Sequence, residues 1–319
     1  MPFISIGLVT WNSARYLPTC LGALSNLGDV DIELIVVDND SHDDSLQIVA
    51  NFFPQAKIIQ NTTNRGFCDP HNQAIQSSNT PYYMPLNPDI QLHPGYLAAM
   101  VEALEAHPRN GMSAGKLLLG TPTTTNNLID TTGLFIDRKR RQYLRGHGEI
   151  DQGQYDSPGE VFGVDGSAPL YRREMLDDIK INGEYFDEAF FAHKEDVDLA
   201  WRARIFGWKC VYTPKAVAFH DRQFRPGKRK GLSSEIRLDA VKNRYFLLLK
   251  NETKEGWRRD WLPILWYDIK ILAYLFAYER TSLKAIGMVK KNWPRLKNWR
   301  NEIMNRKRVS PQETLKWFR

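Results

Sequence analysis

Val36-Val37-Asp38-Asn39-Asp40-Ser41 is an apolar run that ends abruptly in acidic and amide side chains. It reads as a strand discharging into a loop at its carboxyl end. Working outward, Ile4 to Val9, Glu33 to Val37, Ala56 to Gln60 and Tyr82 to Leu86 share the Ile/Val/Leu-rich pattern of strands. Helical patterns separate them: Ser41 to Phe53 places Leu46, Val49 and Phe53 on one face, and Pro94 to Ala106 does the same with Leu97, Val101 and Leu104. Strand-helix alternation predicts an α/β fold with a mostly parallel central sheet, whose ligands bind at the carboxyl ends of the strands. The loops beginning at Thr10, Asp38 and Asn87 therefore surround one crevice.

Three clusters carry candidate chemistry. Asp38, a carboxylate at a strand end, suits a nucleobase N–H or a ribose hydroxyl, with Thr10 and Asn12 beside it; the competing reading is a helix N-cap. Leu86-Asn87-Pro88-Asp89 fixes one carboxylate next to an amide, and a hard cation such as Mg²⁺ or Mn²⁺ held there would bridge a diphosphate. Asn-Pro-Asp is also ordinary turn chemistry. In Glu195-Asp196-Val197-Asp198 three carboxylates open a helix that should end at Gly207. They complement its dipole, and Asp198 is assigned little else. Glu195 and Asp196 adjoin the aromatic Phe191 loop, where apolar surroundings raise a carboxyl pKa and suit it to accept a proton from a hydroxyl. His220 closes the strand-like Ala216 to Phe219.

Charge divides the chain of 319 residues: residues 221–319 hold 25 Lys+Arg against 10 Asp+Glu, and the remainder is net negative. A boundary is expected near Asp221, giving a catalytic domain over 1–220 and a basic, aromatic-rich helical region over 221–319, with Arg225 to Gly231 as a basic linker. After Met112 shorter apolar runs predict mixed β structure and long loops. Trp257 to Tyr278 is too interrupted by Asp268 and Lys270 to span a bilayer; it suits either a helix lying in a membrane interface or one packed on the domain. The cysteines Cys20, Cys68 and Cys210 are odd in number and lack metal-ligand spacing, which fits a reducing, cytoplasmic setting, and no secretory leader precedes the first strand.

Taken in order, Thr10-Trp11-Asn12, VVDNDS, Asn64-Arg65-Gly66-Phe67, LNPD, Val164-Asp165-Gly166-Ser167-Ala168 and EDVDLAWRAR resemble the motifs of the inverting glycosyltransferases of family 2, in particular the rhamnosyltransferase-like branch. The resemblance covers roughly residues 3 to 220. It implies a GT-A fold and a nucleotide site from Thr10, Asn12, Asp38, Asn39, Asn64, Gly66 and Asn87. It further implies metal ligation by Asp89 and His220, a base at Asp196 supported by Glu195, and acceptor contacts at Gly166, Trp201 and Arg202. One departure stands out: Cys68-Asp69-Pro70 precede His71-Asn72 where the family places small residues, which alters the loop near the diphosphate, with Asn64 and Asn72 left as donor contacts.

The expected reaction is a single displacement at the anomeric carbon, with inversion, from a dTDP- or UDP-linked sugar such as dTDP-L-rhamnose to a saccharide or polyprenyl-diphosphate-linked acceptor. Such an enzyme serves cell-surface polysaccharide synthesis, and its basic region would hold it peripherally on the anionic inner face of the plasma membrane. Two other classes compete: a nucleic-acid-binding protein using the basic tail, disfavoured because no reading motif accompanies the charge, and an inactive nucleotide-sugar binder. A nicotinamide enzyme is disfavoured too, since no G-x-G-x-x-G follows the first strand.

Overall fold

The computed structural model describes residues 3–28, 30–123, 127–222 and 233–319. The expected linker from Arg225 to Gly231 lies outside them. In chain order the elements are β1 (Ile4–Thr10), α1 (Leu17–Ser25), β2 (Ile32–Asn39), α2 (Ser45–Phe52), β3 (Lys57–Asn61), α3 (Cys68–Gln76), β4 (Tyr82–Leu86), β5 (Ile90–Leu92) and α4 (Tyr96–Glu105). The middle of the chain adds β6 (Asn110–Leu119), β7 (Ile129–Thr131), β8 (Leu134–Ile136), β9 (Gln142–Leu144), β10 (Gly159–Glu160), β11 (Leu170–Arg172), α5 (Arg173–Ile179), α6 (Glu195–Ile205) and β12 (Lys209–His220). Five helices finish it: α7 (Ser234–Asn251), α8 (Lys254–Tyr278), α9 (Lys284–Lys291), α10 (Trp293–Asn305) and α11 (Pro311–Leu315).

The main sheet has the order β10-β12-β6-β11-β4-β1-β2-β3. Strands β3, β2, β1 and β4 run parallel, because each is joined to the next by a helix that must cross a face of the sheet. Both faces are covered, so β1 and the inner part of β2 are apolar along their length instead of alternating. The strand order reverses between β1 and β4, which opens a crevice at their carboxyl ends. Beyond it β11 runs antiparallel between β4 and β6, while β6 and β12 are again parallel. The antiparallel β8–β9 hairpin and β7 account for the mixed β structure expected after Met112.

Register sets the site. Thr10 lies opposite Asp38, Asp38 opposite Gln60 and Asn39 opposite Asn61, so these ends form one rim. On the far side β5 pairs with β12 so that His220 faces Ile90, and His220 thereby reaches Asp89, one residue before it in the chain.

The charge boundary near Asp221 is not a packing boundary. Phe246, Leu247, Leu296, Trp299, Ile303 and Phe318 share a hydrophobic core with Val197, Leu199 and Trp201 of α6. Asp198 does far more than complement a dipole: it is buried and receives Lys250 Nζ at 2.9 Å and Asn251 Nδ2 at 2.7 Å. Lys250, itself fully buried, also pairs with Asp187. A buried cation between two carboxylates ties α7 to α6, and removing it would leave Asp187 to Arg295 and Asp198 to the more distant Arg202. Much of the basic region is spent in the same way: Arg300 donates to Leu249 O and Glu252 O, Arg306 to Lys180 O, and Arg308 grips Asp178.

Candidate active site

The β1 and β2 loops are knotted together. Asp38 accepts a hydrogen bond from Thr10 Oγ1 at 2.8 Å and another from the Ser41 amide at 3.0 Å. Asn12, at φ +50°, accepts from the His42 amide, and its own amide donates to Ser41 Oγ. Thr10, Asn12 and Asp38 are thus brought together at the rim, with Asp38 only 3% exposed and both oxygens engaged. Asn39 is 1% exposed: it accepts from Asn61 and donates to Gly66 O and Asn64 Oδ1. It therefore ties β2, β3 and the 64–66 turn together instead of offering its amide to a nucleotide. Asn72, expected as a donor contact, is likewise consumed, since its side chain accepts from the Tyr185 and Phe186 amides and donates to Phe186 O and Glu188. Asp69 turns to Arg65 and Gln73, and Pro70 sits in the first turn of α3, where a missing N–H costs nothing.

Gly66, at φ +77°, permits a close approach: a Cβ there would collide with the carbonyl and ring of Phe191. The Phe67 amide donates to that carbonyl at 2.7 Å. The 64–67 turn thereby meets the segment leading into α6. That segment is strained, since Phe191, His193 and Lys194 all lie at positive φ (59°, 65° and 73°) although none is glycine. It is held from α7 by Asn243, whose Nδ2 lies 3.0, 2.8 and 2.7 Å from the carbonyl oxygens of Phe190, Ala192 and His193.

This clasp presents Glu195 and Asp196 beside Gly166. A Cβ on Gly166 would sit 3.4 Å from Phe67, 3.6 Å from Glu195 Oε1 and 3.8 Å from Asp196 Cβ, so the glycine keeps space open in front of both carboxyls. Burial, then the charge of Asp165, pushes Asp196 up to about 7. Burial, then the neighbouring Asp196, raises the Glu195 carboxyl well above its ordinary value. Glu195 Oε2 has no hydrogen-bond partner among the described residues.

Asp89 and His220 meet on the other side, with His220 Nε2 3.4 Å from Asp89 and Nδ1 2.7 Å from Asp130. Burial alone would strip the ring of its proton, but hydrogen bonds to Asp130 and Asp89 outweigh it and hold the imidazole at about 9. Arg222 continues the chain, 2.9 Å from Asp130 and 3.1 Å from Asp165. Charges therefore alternate without a break from Asp89 through His220, Asp130 and Arg222 to Asp165, which faces Asp196. The LNPD turn closes the circuit, because the Asn87 amide donates to Ser167 O at 2.9 Å. Asp89 also borders a cavity of about 80 Å³ lined by Arg15, Tyr16 and Asp221.

Two expected acceptor residues do not reach this cleft. Trp201 is 1% exposed and packs on Phe318, and Arg202 is fully buried with its guanidinium on Ile179 O and Tyr185 O. Helices α7 and α10 cover the outer side of α6, which turns that face into core. Conversely Asp130, Asp165, Arg222 and Asn243 were not among the expected site residues. Asp165 lies within the motif Val164 to Ala168 and Arg222 two positions past His220; Asp130, inside the three-residue strand β7, and Asn243, on a separate helix well beyond α6 in the chain, carried no local signal.

A parallel half-sheet, a switch-point crevice and carboxylates on both of its walls are the features of the GT-A fold of glycosyltransferases. The family Glycosyl transferase family 2 matches residues 5–180, and the chain belongs to it. The N-acetylglucosaminyl-diphospho-decaprenol L-rhamnosyltransferase of Mycobacterium tuberculosis is 24% identical over 287 residues, covering 81% of this chain and 86% of the relative. Among solved structures, Staphylococcus aureus TarS 1-349 superposes with a TM-score of 0.52 at 17% identity, covering all of this chain and 83% of that one, and has also been solved with UDP and with UDP-GlcNAc. GalNAc-T7 with UDP, GalNAc and Mn²⁺ gives a TM-score of 0.57 at 12% identity, over 78% of this chain and 48% of that one. At such identities the two structures speak for the fold.

Proposed function

We propose that the chain transfers a sugar, with inversion, from a nucleoside-diphosphate donor to a hydroxyl of a saccharide carried on a lipid diphosphate, in cell-surface polysaccharide synthesis. The observation that carries this reading is Asp196: a carboxylate beside an open glycine, poised at about 7, where a general base is both charged enough and basic enough to take a proton from an alcohol. Attack by the acceptor oxygen on the anomeric carbon breaks the bond to the diphosphate as Asp196 receives the acceptor's proton. Glu195, beside it at Gly166, supports the base or contacts the acceptor.

Asp89 and His220 fit a Mg²⁺ or Mn²⁺ ion, because Asp130 engages Nδ1 and leaves Nε2 directed at Asp89, the arrangement in which a carboxylate orients a metal-binding histidine. Such an ion would offset the charge gathering on the departing diphosphate. The rhamnosyltransferase relative favours an L-rhamnosyl donor, in keeping with the dTDP-linked sugar expected from the sequence, and a polyprenyl-linked acceptor, and the TarS complexes keep a UDP-sugar in view.

The test is Asp196→Asn. Transfer falls by at least the 10²- to 10⁴-fold typical of a lost general base, while donor affinity by calorimetry stays within about twofold. NMR of the wild-type product reports inverted anomeric configuration. Substantial turnover by the variant rejects the assignment of the base, and nucleotide-sugar binding with neither transfer nor donor hydrolysis identifies an inactive binder.

A further inference from the structure

Helix α8 is apolar on two sides, which a helix on a water-facing surface has no reason to be. Its inner side, Gly256, Asp260, Ile264 and Leu275, is buried against the body. Roughly opposite at 100° per residue lie Trp261, Leu262, Leu265, Trp266, Ile269 and Phe276, each 45–60% exposed. These six form a stripe about 22 Å long at 1.5 Å per residue, larger than scattered surface hydrophobics account for. No described helix is long and apolar enough to cross a membrane.

Charge around the stripe is sorted. Residues 254–297 hold ten Lys and Arg against four Asp and Glu. Asp260 is turned inward to Arg138 and Arg140, Asp268 to Arg244, and Glu279 is buried. The cations Arg258, Lys270, Lys284, Lys290 and Lys291 remain exposed. Lys270 sits 5.2 Å over the Trp266 ring and Arg258 lies on the same helix, so cations border an aromatic and aliphatic centre, the combination that lies in the headgroup region of an anionic bilayer.

We propose that the outward face of α8 is a membrane-docking surface, seated parallel to an anionic leaflet with Trp261 and Trp266 at headgroup level and Leu265, Ile269 and Phe276 in the acyl boundary. A second copy of this chain fits less well, since a two-fold contact through the stripe would set its cationic edges against themselves. The body cannot swivel on this seat: Arg138 and Arg140 hold Asp260 at 2.7 and 2.9 Å, and Arg244 holds Asp268 at 2.7 Å. Because α7 also clasps the Asp196 loop through Asn243, docking fixes the height of the cleft above the lipid. The proposal deepens the reading of a lipid-linked acceptor and rests on it only for its purpose.

Co-sedimentation of the full chain with phosphatidylglycerol/phosphatidylcholine vesicles tests it, without donor or metal. The wild type binds at 50 mM salt, its tryptophan emission shifts to the blue, and binding falls at least tenfold at 0.5 M salt or on pure phosphatidylcholine. The Leu265→Glu/Ile269→Glu variant, whose changes are exposed and leave the melting temperature in place, loses at least tenfold in vesicle binding yet transfers normally to a detergent-free soluble acceptor. Absence of wild-type binding, or equal binding by the variant, overturns the proposal while leaving sugar transfer untouched. Conversion of a wild-type dimer to monomer by the variant, seen in sedimentation velocity without vesicles, overturns it in favour of self-association.

Discussion

Replacing Asp165 with Asn removes a negative charge that faces Asp196 while keeping an oxygen for the Ser167 amide that Asp165 Oδ1 now accepts at 3.1 Å. With Asp196 poised at about 7, the wild-type base is about one-tenth ionised at pH 6 and about nine-tenths ionised at pH 8, so kcat/KM rises roughly tenfold across that interval. Burial is the larger cause of the elevation and survives the substitution; the Asp165 charge is the second cause and does not. The sign follows: without Asp165 the ionised form is less penalised, and the acid limb moves to lower pH. A displacement of about one pH unit, worth about 1.4 kcal/mol, would reduce the pH 8 to pH 6 ratio to about twofold. Nucleotide release measured at subsaturating acceptor from pH 5 to 9, with a charge-matched control away from Asp196 such as Asp151→Asn on the Lys116 pair, supplies the comparison. Coincident limbs for wild type and Asp165→Asn, or an acid limb moved upward, would refute the electrostatic account of the base.

Asn243→Ala leaves three backbone carbonyls without their clasp, at a cost of about 1–3 kcal/mol in stability; the strained 191–194 segment relaxes, and kcat falls at least tenfold with donor affinity unchanged, as thermal melts and paired kinetics and calorimetry would register. Lys250→Met leaves Asp187 with Arg295 alone and Asp198 with Asn251 and the more distant Arg202, and costs at most about 3–5 kcal/mol, read as a drop in denaturation midpoint, whereas the exposed Lys254→Met changes little. His220 must yield a proton to bind a cation, and its pKa of about 9 means that Mn²⁺ affinity rises by up to about tenfold per pH unit from pH 7 to 9 and then levels. Asp130→Asn removes the strongest hold on that proton, so titrations of the variant level off at lower pH; a flat wild-type profile would exclude His220 as a ligand.

How far the site was legible follows from the range over which each interaction acts. Thr10, Asp38 and Asp89 stand at the ends of apolar strands, and Glu195 and Asp196 at the start of a helix, so local pattern was enough to place them. Asn39 and Asn72 have the right chemistry and the wrong surroundings, since every polar atom of Asn39 and both ends of the Asn72 amide are spent on scaffold. Helix α6 shows the same limit more sharply. Val197, Leu199 and Ile205 look core-facing from spacing alone, whereas Asp198 looks like a mere complement to the dipole and Trp201 and Arg202 look free to meet an acceptor until α7 and α10 close over them.

By itself, then, the order of residues determined the alternation of strands and helices, the crevice at the strand ends, the carboxylates that line it and the basic, aromatic character of the last third. Those are consequences of period, turn chemistry and composition, which operate over a few neighbouring residues. Only the folded chain decided that Asp130 and Arg222 link Asp89 and His220 to the Asp196 side of the cleft, that Asn243 holds the loop bearing Asp196, and that one stripe of α8 is left uncovered by the described residues. These depend on groups far apart in the chain and on burial, which raises or lowers a proton affinity only after water has been excluded by partners no local pattern names.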